Sequence, residues 1–295
     1  MKPIQRKFQN NVGDVFHAET WEPESPSDCL MIIHHGHGEY ASRFNYFAEL
    51  LKPLNIRIVA YDMRGHGHTS GKRGLIRDVG QLAEDLHFMV RELKNLYAPK
   101  KILFFGHSLG GATLARYLID FPTPSEAVGA IFSAPLFKPI LDFVQKLKEV
   151  MANALGGVLP NLVVATKLEL KKLTAYEPSL KQIQEDQLLH DKISLSLAIS
   201  VAKNYQYCLS KGSDIEIPIL LFRGKKDDVI SRAEIITFAK SCSSQSKAYH
   251  DVDGLHEPIH NDPKNVAPLI KTLSTFINDV TKNQPTKEET QKMSS

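Results

Sequence analysis

This sequence predicts an α/β fold with a mostly parallel sheet and one helical insertion, and three observations carry that prediction. Short apolar, β-branched runs recur along the chain, helical stretches separate them, and the alternation stops once, between Pro135 and about Gly212. With 295 residues, 42% of them hydrophobic, the chain can build one large domain carrying an insertion around a full-sized core.

The expected strands come first. "LMIIH" (Leu30 to His34), "IRIVAY" (Ile56 to Tyr61), "KILFFG" (Lys101 to Gly106) and "VGAIFS" (Val128 to Ser133) read as buried strands, and "IPILLFR" (Ile217 to Arg223) and "SKAYHD" (Ser246 to Asp251) continue the series. Runs this apolar and unalternating suit a parallel sheet covered on both faces. Between them, "DVGQLAEDLHFMVREL" puts Val79, Leu82, Leu86, Met89 and Val90 on one helical face behind Asp78 as N-cap. Strand-helix alternation of this kind indicates the α/β class.

In the interrupted span no strand pattern appears. "PILDFVQKLKEVMANAL" places Ile140, Val144, Leu147, Met151 and Leu155 on one stripe ended by Gly156-Gly157, and "HDKISLSLAISVAKNYQYCL" is a second helical pattern. The expected organisation is therefore a core of residues 1–135 and 213–282, a helical cap at 136–212, and a disordered polar tail at 283–295.

Composition narrows the function. A net charge of +3 without a long Lys/Arg run excludes a nucleic-acid partner. No stretch of about 18 apolar residues is available to cross a membrane. The first residues lack the apolar core of a signal peptide. Cys29, Cys208 and Cys242 are odd in number and fit no metal-ligand spacing. A reduced, cytoplasmic location is the expectation.

The most informative segment is "FFGHSLGGATLARYLIDFP". A buried strand ends at Gly106, then Gly106-His107-Ser108-Leu109-Gly110 supplies G-x-S-x-G, and a helix is expected to open with Ala112. That strand-turn-helix context is what a nucleophile elbow requires. A sharp turn strains the serine backbone, and small neighbours let strand and helix approach closely. Ser108 is thus the candidate nucleophile, with the helix N-terminus behind it to favour developing negative charge. An ordinary glycine-rich turn with a capping serine is the plainer alternative. His107 is expected to pack beneath the turn.

A serine hydroxyl needs a base, and the base an orienting carboxylate. With this elbow the order along the chain is Ser, acid, His. The loop after "IPILLFR" carries Asp227 and Asp228; Asp227, third after Gly224, is preferred. The loop after "SKAYHD" carries His256 and His260; His256, close behind Gly254, is the preferred base, with His260 and His250 expected to be structural.

"IHHGHGE" (Ile33 to Glu39) poses a separate question, because three histidines in four positions suggest a metal. Adjacent His34 and His35 point to opposite sides of an extended strand, and no Cys or acidic partner follows at a usable spacing. No metal site is expected. The loop after this strand instead supplies one oxyanion-hole N–H, from His37, and the residue after the nucleophile, Leu109, supplies the other. "YDMRGHGHTSG", around His66 and His68, reads as a rigid turn whose glycines serve backbone geometry.

Together, "HHGHGEYASRF", "YDMRGHGHTSG", "GHSLGG", "RGKKDD" and "GLHEPIHND" resemble the monoacylglycerol lipase and lysophospholipase branch of the α/β-hydrolases. "GVLPNL" and "EDQLLHDKISL" in the cap echo it more weakly, and coverage runs from about residue 8 to residue 280. The resemblance implies Ser108 as nucleophile, Asp227 as acid, His256 as base, and the amides of His37 and Leu109 as oxyanion hole. It implies a serine esterase acting on a lipid with one acyl chain through an acyl-serine, without cofactor or metal. His37 departs from the smaller residue that relatives often carry there.

The first cap helix pattern adds an apolar stripe (Ile140, Phe143, Val144, Leu147, Met151) flanked by Lys138, Lys146 and Lys148. It reads either as packing on the core or as an acyl tunnel with a lip that touches membranes or micelles. A carboxylesterase or proline-iminopeptidase activity uses the same triad; the peptidase needs a cap carboxylate, for which Glu169, Glu177, Glu185 and Asp186 are candidates. A non-catalytic binding protein on this fold is a further alternative, although no triad member is missing.

Overall fold

The computed structural model describes residues 2–138, 159, 161–166 and 169–282. Eight strands form one sheet, in the order Ile4–Gln9, Val15–Trp21, Arg57–Tyr61, Cys29–His34, Lys101–His107, Ala127–Ser133, Ile219–Gly224 and Lys247–Val252. All six expected strands are present, as β3 (Cys29–His34), β4 (Arg57–Tyr61), β5 (Lys101–His107), β6 (Ala127–Ser133), β9 (Ile219–Gly224) and β10 (Lys247–Val252). These six run parallel. The structure adds β1 (Ile4–Gln9) and β2 (Val15–Trp21), an antiparallel extension that joins through β2 to β4.

Burial explains why the central runs are apolar throughout. Side chains alternate across a strand. Leu30 and Ile32 of β3 accordingly pack with Phe104 and with Leu86, Met89 and Tyr117 on one face. Met31 and Ile33 pack with Phe105, Phe44 and Phe47, and with Leu273 and Ile277, on the other. The helices supplying these faces are α1 (Asn45–Leu51), α2 (Val79–Tyr97), α3 (Leu109–Asp120) and the C-terminal helix α7 (Pro263–Lys282). Asp78 caps α2 as expected, its Oδ1 accepting the Gln81 N–H at 2.7 Å.

Between β6 and β9 the described residues hold α4 (Glu177–Glu185) and α5 (Leu195–Ser210), with α6 (Arg232–Ser241) following β9. Here the expectation of no strand needs correction. Val163–Ala165 (β7) and Lys192–Ser194 (β8) pair antiparallel, and β8 takes the first residues of the second predicted cap helix. Strands of three residues are too short to generate a periodic signal. The first predicted cap helix, with its apolar stripe, and the tail at 283–295 lie outside the described residues.

Candidate active site

Ser108 stands between β5 and α3 with φ +51° and ψ −116°, a conformation that costs a non-glycine residue energy and persists only where surroundings enforce it. Backbone hydrogen bonds do the enforcing. Ser108 N–H donates to Ser133 O (2.9 Å), while its carbonyl accepts from Gly111 (2.9 Å), Ala112 (3.1 Å) and Leu136 (2.9 Å). Close approach makes the flanking glycine obligatory: a Cβ on Gly110 would lie 2.1 Å from His34 O and 2.4 Å from His35 O. His107 packs beneath the turn, its Nδ1 at 3.0 Å from Ser133 Oγ.

Two later loops reach this serine. His256 Nε2 lies 2.9 Å from Ser108 Oγ, and His256 Nδ1 lies 2.9 Å from Asp227 Oδ2. Asp227 Oδ1 accepts the N–H groups of Val229 (2.8 Å) and Ile230 (3.2 Å), and Arg223 Nη1 pins the loop by donating to the carbonyls of Asp227 (2.9 Å) and Ile230 (3.0 Å). All three side chains are buried. Burial alone would raise the Asp227 carboxyl, but the His256 charge and hydrogen bond and the two backbone donors hold it below its usual range. Burial would depress His256, yet the charge and hydrogen bond of Asp227, aided by Glu257 and Glu39, lift the imidazole above its ordinary value.

The alternatives sit elsewhere. Asp228 is exposed and faces Lys172 at 3.5 Å. His250 is exposed, and His260 is buried against Phe44 with its Nε2 unpartnered. His34 meets Tyr61 Oη at 2.6 Å, and His35 Nε2 accepts the Met63 N–H at 2.9 Å. Both imidazoles are therefore occupied in holding strand ends and turns.

The loop after β3 presses against the serine: a Cβ on Gly36 would lie 3.3 Å from Ser108 Cβ. Leu109 opens α3, where an N–H has no intrahelical acceptor. The ring of His37 packs edge-on to His66 (5.6 Å) and His190 (5.7 Å), with neither ring nitrogen partnered. Burial, with His190 and His35 nearby, lowers it to about 3, so it is a neutral wall at neutral pH.

This geometry has relatives. Residues 25–264 match the family model described as serine aminopeptidase, S33. The chain belongs to that family. It is similar to a rat monoglyceride lipase, 24% identical over 270 residues that span 91% of this chain and 88% of the relative. Among solved structures, it is similar to the Paleococcus ferrophilus monoacylglycerol lipase, with a TM-score of 0.73 at 25% identity, covering 94% of this chain and 100% of that one. A soluble variant of the Saccharomyces cerevisiae monoglyceride lipase, in complex with a substrate analogue, superposes with a TM-score of 0.81 at 19% identity, over 95% and 97% of the two chains. The fold of this S33 member is that of the α/β-hydrolases.

Sequence reasoning missed the support of this S33 site. His256 and Glu257 donate their backbone N–H groups to Lys172 O (3.4 Å) and Leu173 O (2.8 Å), so the span between β6 and β9 braces the histidine loop. Arg43, Glu39 and Glu257 form a buried cluster beside it. Both glutamates stand inside the quoted motifs, yet no local signal marks them as sharing one arginine.

Proposed function

We propose that the chain is a serine hydrolase cleaving carboxylic esters of lipids that carry one acyl chain, monoacylglycerols or lysophospholipids, through an acyl-serine. The observation that carries this is the relay Asp227–His256–Ser108, with both contacts at 2.9 Å, ending on a serine in a left-handed turn. Ser108 is the nucleophile. His256 takes its proton as it attacks the ester carbonyl, and Asp227 orients the imidazole and stabilises the imidazolium. The N–H groups of His37 and Leu109 receive the oxyanion. His256 then protonates the leaving alcohol and activates the water that releases the fatty acid. The raised basicity of His256 suits this exchange, because it must hold the proton while each tetrahedral intermediate forms and collapses, and is free again to accept one from water once the alcohol has left.

The span 136–212 is proposed as the cap over this site. Leu159 and Leu162, 50% and 39% exposed, offer an apolar edge for contact with a lipid surface. No helix among the described residues is long and apolar enough to cross a membrane. Three buried, unpaired cysteines support a reducing, cytoplasmic location.

The family's description favours a second reading, amide hydrolysis beside a free amine. That chemistry needs a carboxylate aimed at the pocket. Glu169, Glu177 and Glu185 are exposed, and Asp186 is engaged by Tyr40 Oη at 2.6 Å and by the Leu188 N–H at 2.9 Å. The ester reading is therefore preferred. A panel of monoacylglycerols, lysophospholipids, short nitrophenyl esters and aminoacyl arylamides decides between them. Wild-type protein is expected to release fatty acid from the single-chain lipids, and Ser108→Ala to lose at least about 10³-fold in turnover with its melting temperature kept. An active Ser108→Ala protein would falsify the nucleophile, and faster arylamide turnover the substrate class.

A further inference from the structure

Arg43 occupies the point where the loop after β3 meets the loop after β10. Its Nη1 donates to Glu39 Oε1 at 2.6 Å and to Glu257 Oε1 at 3.1 Å, and its Nη2 donates to Glu257 Oε2 at 2.8 Å. The other oxygen of Glu39, Oε2, accepts the Gly36 N–H at 3.0 Å. Gly36 precedes His37, and Glu257 follows His256. One guanidinium thereby joins the two neighbours of the groups assigned above to the oxyanion and the proton.

Exposure of these side chains is 11% for Arg43, 5% for Glu39 and 3% for Glu257. Withdrawing a guanidinium and two carboxyls from water is costly, enough to push Glu39 up to about 7, and a stable core gains little from it that apolar packing would not supply. Geometry is what the cluster does provide. The guanidinium fork is planar and fixes two carboxylates in orientation as well as distance. Arg43 itself leads directly into α1 through Phe44, which is buried against Phe105 of β5. The bridge is therefore anchored to the core.

Resting on the acyl-serine reading above, we propose that Arg43 is a positioning residue: through Glu39 and Glu257 it sets the separation between the His37 amide and the His256 imidazole. A catalytic effect of about 10²-fold is available to such a device, because misplacement by about 1 Å costs that much.

A divalent cation is the competing explanation. Glu39, Glu257 and His260 hold ligand atoms within 4.8 Å of one another. Arg43 already supplies the positive charge and occupies both carboxylates, so a metal would have to strand the guanidinium in a buried site. The cluster also acts on His256 at a distance. Glu257 and Glu39 both help raise the imidazole, after the larger contribution of Asp227. Glu39 faces Arg43, Glu257 and the Gly36 N–H; Glu257 faces Arg43, His260 and His107.

The test uses a short, soluble nitrophenyl ester, with kcat and KM measured separately across pH. Arg43→Lys keeps the charge without the fork and should lower kcat about tenfold. Arg43→Met should lower it about 10²-fold, so that lysine partly rescues, with KM within about twofold of wild type in both. The acid limb of kcat/KM reports the free base. It should move to lower pH in Glu257→Gln, which removes an anion facing His256; Arg43→Met is read through kcat, because loss of the guanidinium also favours protonation of Glu39, already raised to about 7. Should Arg43→Met fail to fold, Arg43→Lys and Glu257→Gln still decide the matter. Unchanged kcat and an unmoved acid limb in these folded variants overturn the proposal, as does a kcat loss that only follows a falling melting temperature. The Ser108→Ala control separates the two claims. If that variant is inactive while the Arg43 series is unaffected, only the positioning role falls; if it is active, the acyl-serine reading falls with it.

Discussion

The turn that carries Ser108 and the loop that carries His256 hold adjacent members of one hydrogen-bonded relay but are built in different ways. Four backbone hydrogen bonds and close glycine packing seat Ser108, and no titratable group takes part in those bonds. His256 depends chiefly on side chains, with Asp227 on its Nδ1 and Glu257 next to it held by Arg43, and two carbonyls from the span between β6 and β9 accept the N–H groups of His256 and Glu257. A backbone-held element breaks through sterics. A side-chain-held element breaks through charge.

Gly110→Ala tests the first half and should have the largest effect. The new Cβ would meet His34 O and His35 O, which are backbone atoms of the strand end and cannot step aside cheaply. A loss of about 3 kcal/mol or more in urea-unfolding free energy is expected, with turnover lost. Wild-type stability in this variant would show that the turn is not sterically locked.

Acid tests the role of charge around both loops, through the imidazoles packed about the site. Burial lowers His35, His37, His107 and His260 to about 3, so each is neutral in the folded protein. On unfolding they recover an ordinary value near 6.5, so between those limits the unfolded chain binds more protons and stability drops as the pH is lowered. His256 runs the other way: its folded value is raised, so its contribution is present below about 6.5 and fades as pH rises through the folded value. His34, His66 and His190 are lowered as well, while the raised carboxyls of Glu39 and Asp85 act in the same direction as His256, so the lowered imidazoles outnumber the groups that oppose them. Urea unfolding should lose on the order of several kcal/mol between pH 7 and pH 5.5. A flat profile there would mean the imidazoles are solvated in the native state.

The smallest effect is expected at the exposed edge of the proposed cap. Replacing Leu159 and Leu162 together with serine should weaken co-sedimentation with phosphatidylcholine vesicles about tenfold while soluble-ester turnover stays at wild type. Equal vesicle binding by the double variant would remove this edge as a lipid contact.

Legibility in the sequence followed the same division. β3, β5, β6 and β9 are covered by helices on both faces, and their apolar runs announce them. β2 is nearly as buried but reads as "VFHAETW", because two of its polar side chains find distant partners: Glu19 Oε1 accepts from Ser42 Oγ at 2.6 Å, and Thr20 Oγ1 lies 3.0 Å from Tyr97 Oη. β1 is an exposed edge with a polar sequence. G-x-S-x-G marks Ser108 because the elbow is a local steric problem with few solutions. Asp227 and Asp228 are neighbours in one loop, and only the position of His256 distinguishes them. Arg43 and Glu257 stand 214 positions apart and carry no shared pattern.

By itself the sequence determined the layered sheet, the strained serine turn and the short list of acids and bases, since each follows from residue spacing and local backbone sterics. Only the tertiary structure decided which aspartate meets the imidazole, which arginine binds the two glutamates, and which carbonyls brace the base. Those choices rest on hydrogen bonds a few ångströms long between residues far apart in the chain, and folding alone brings such residues together.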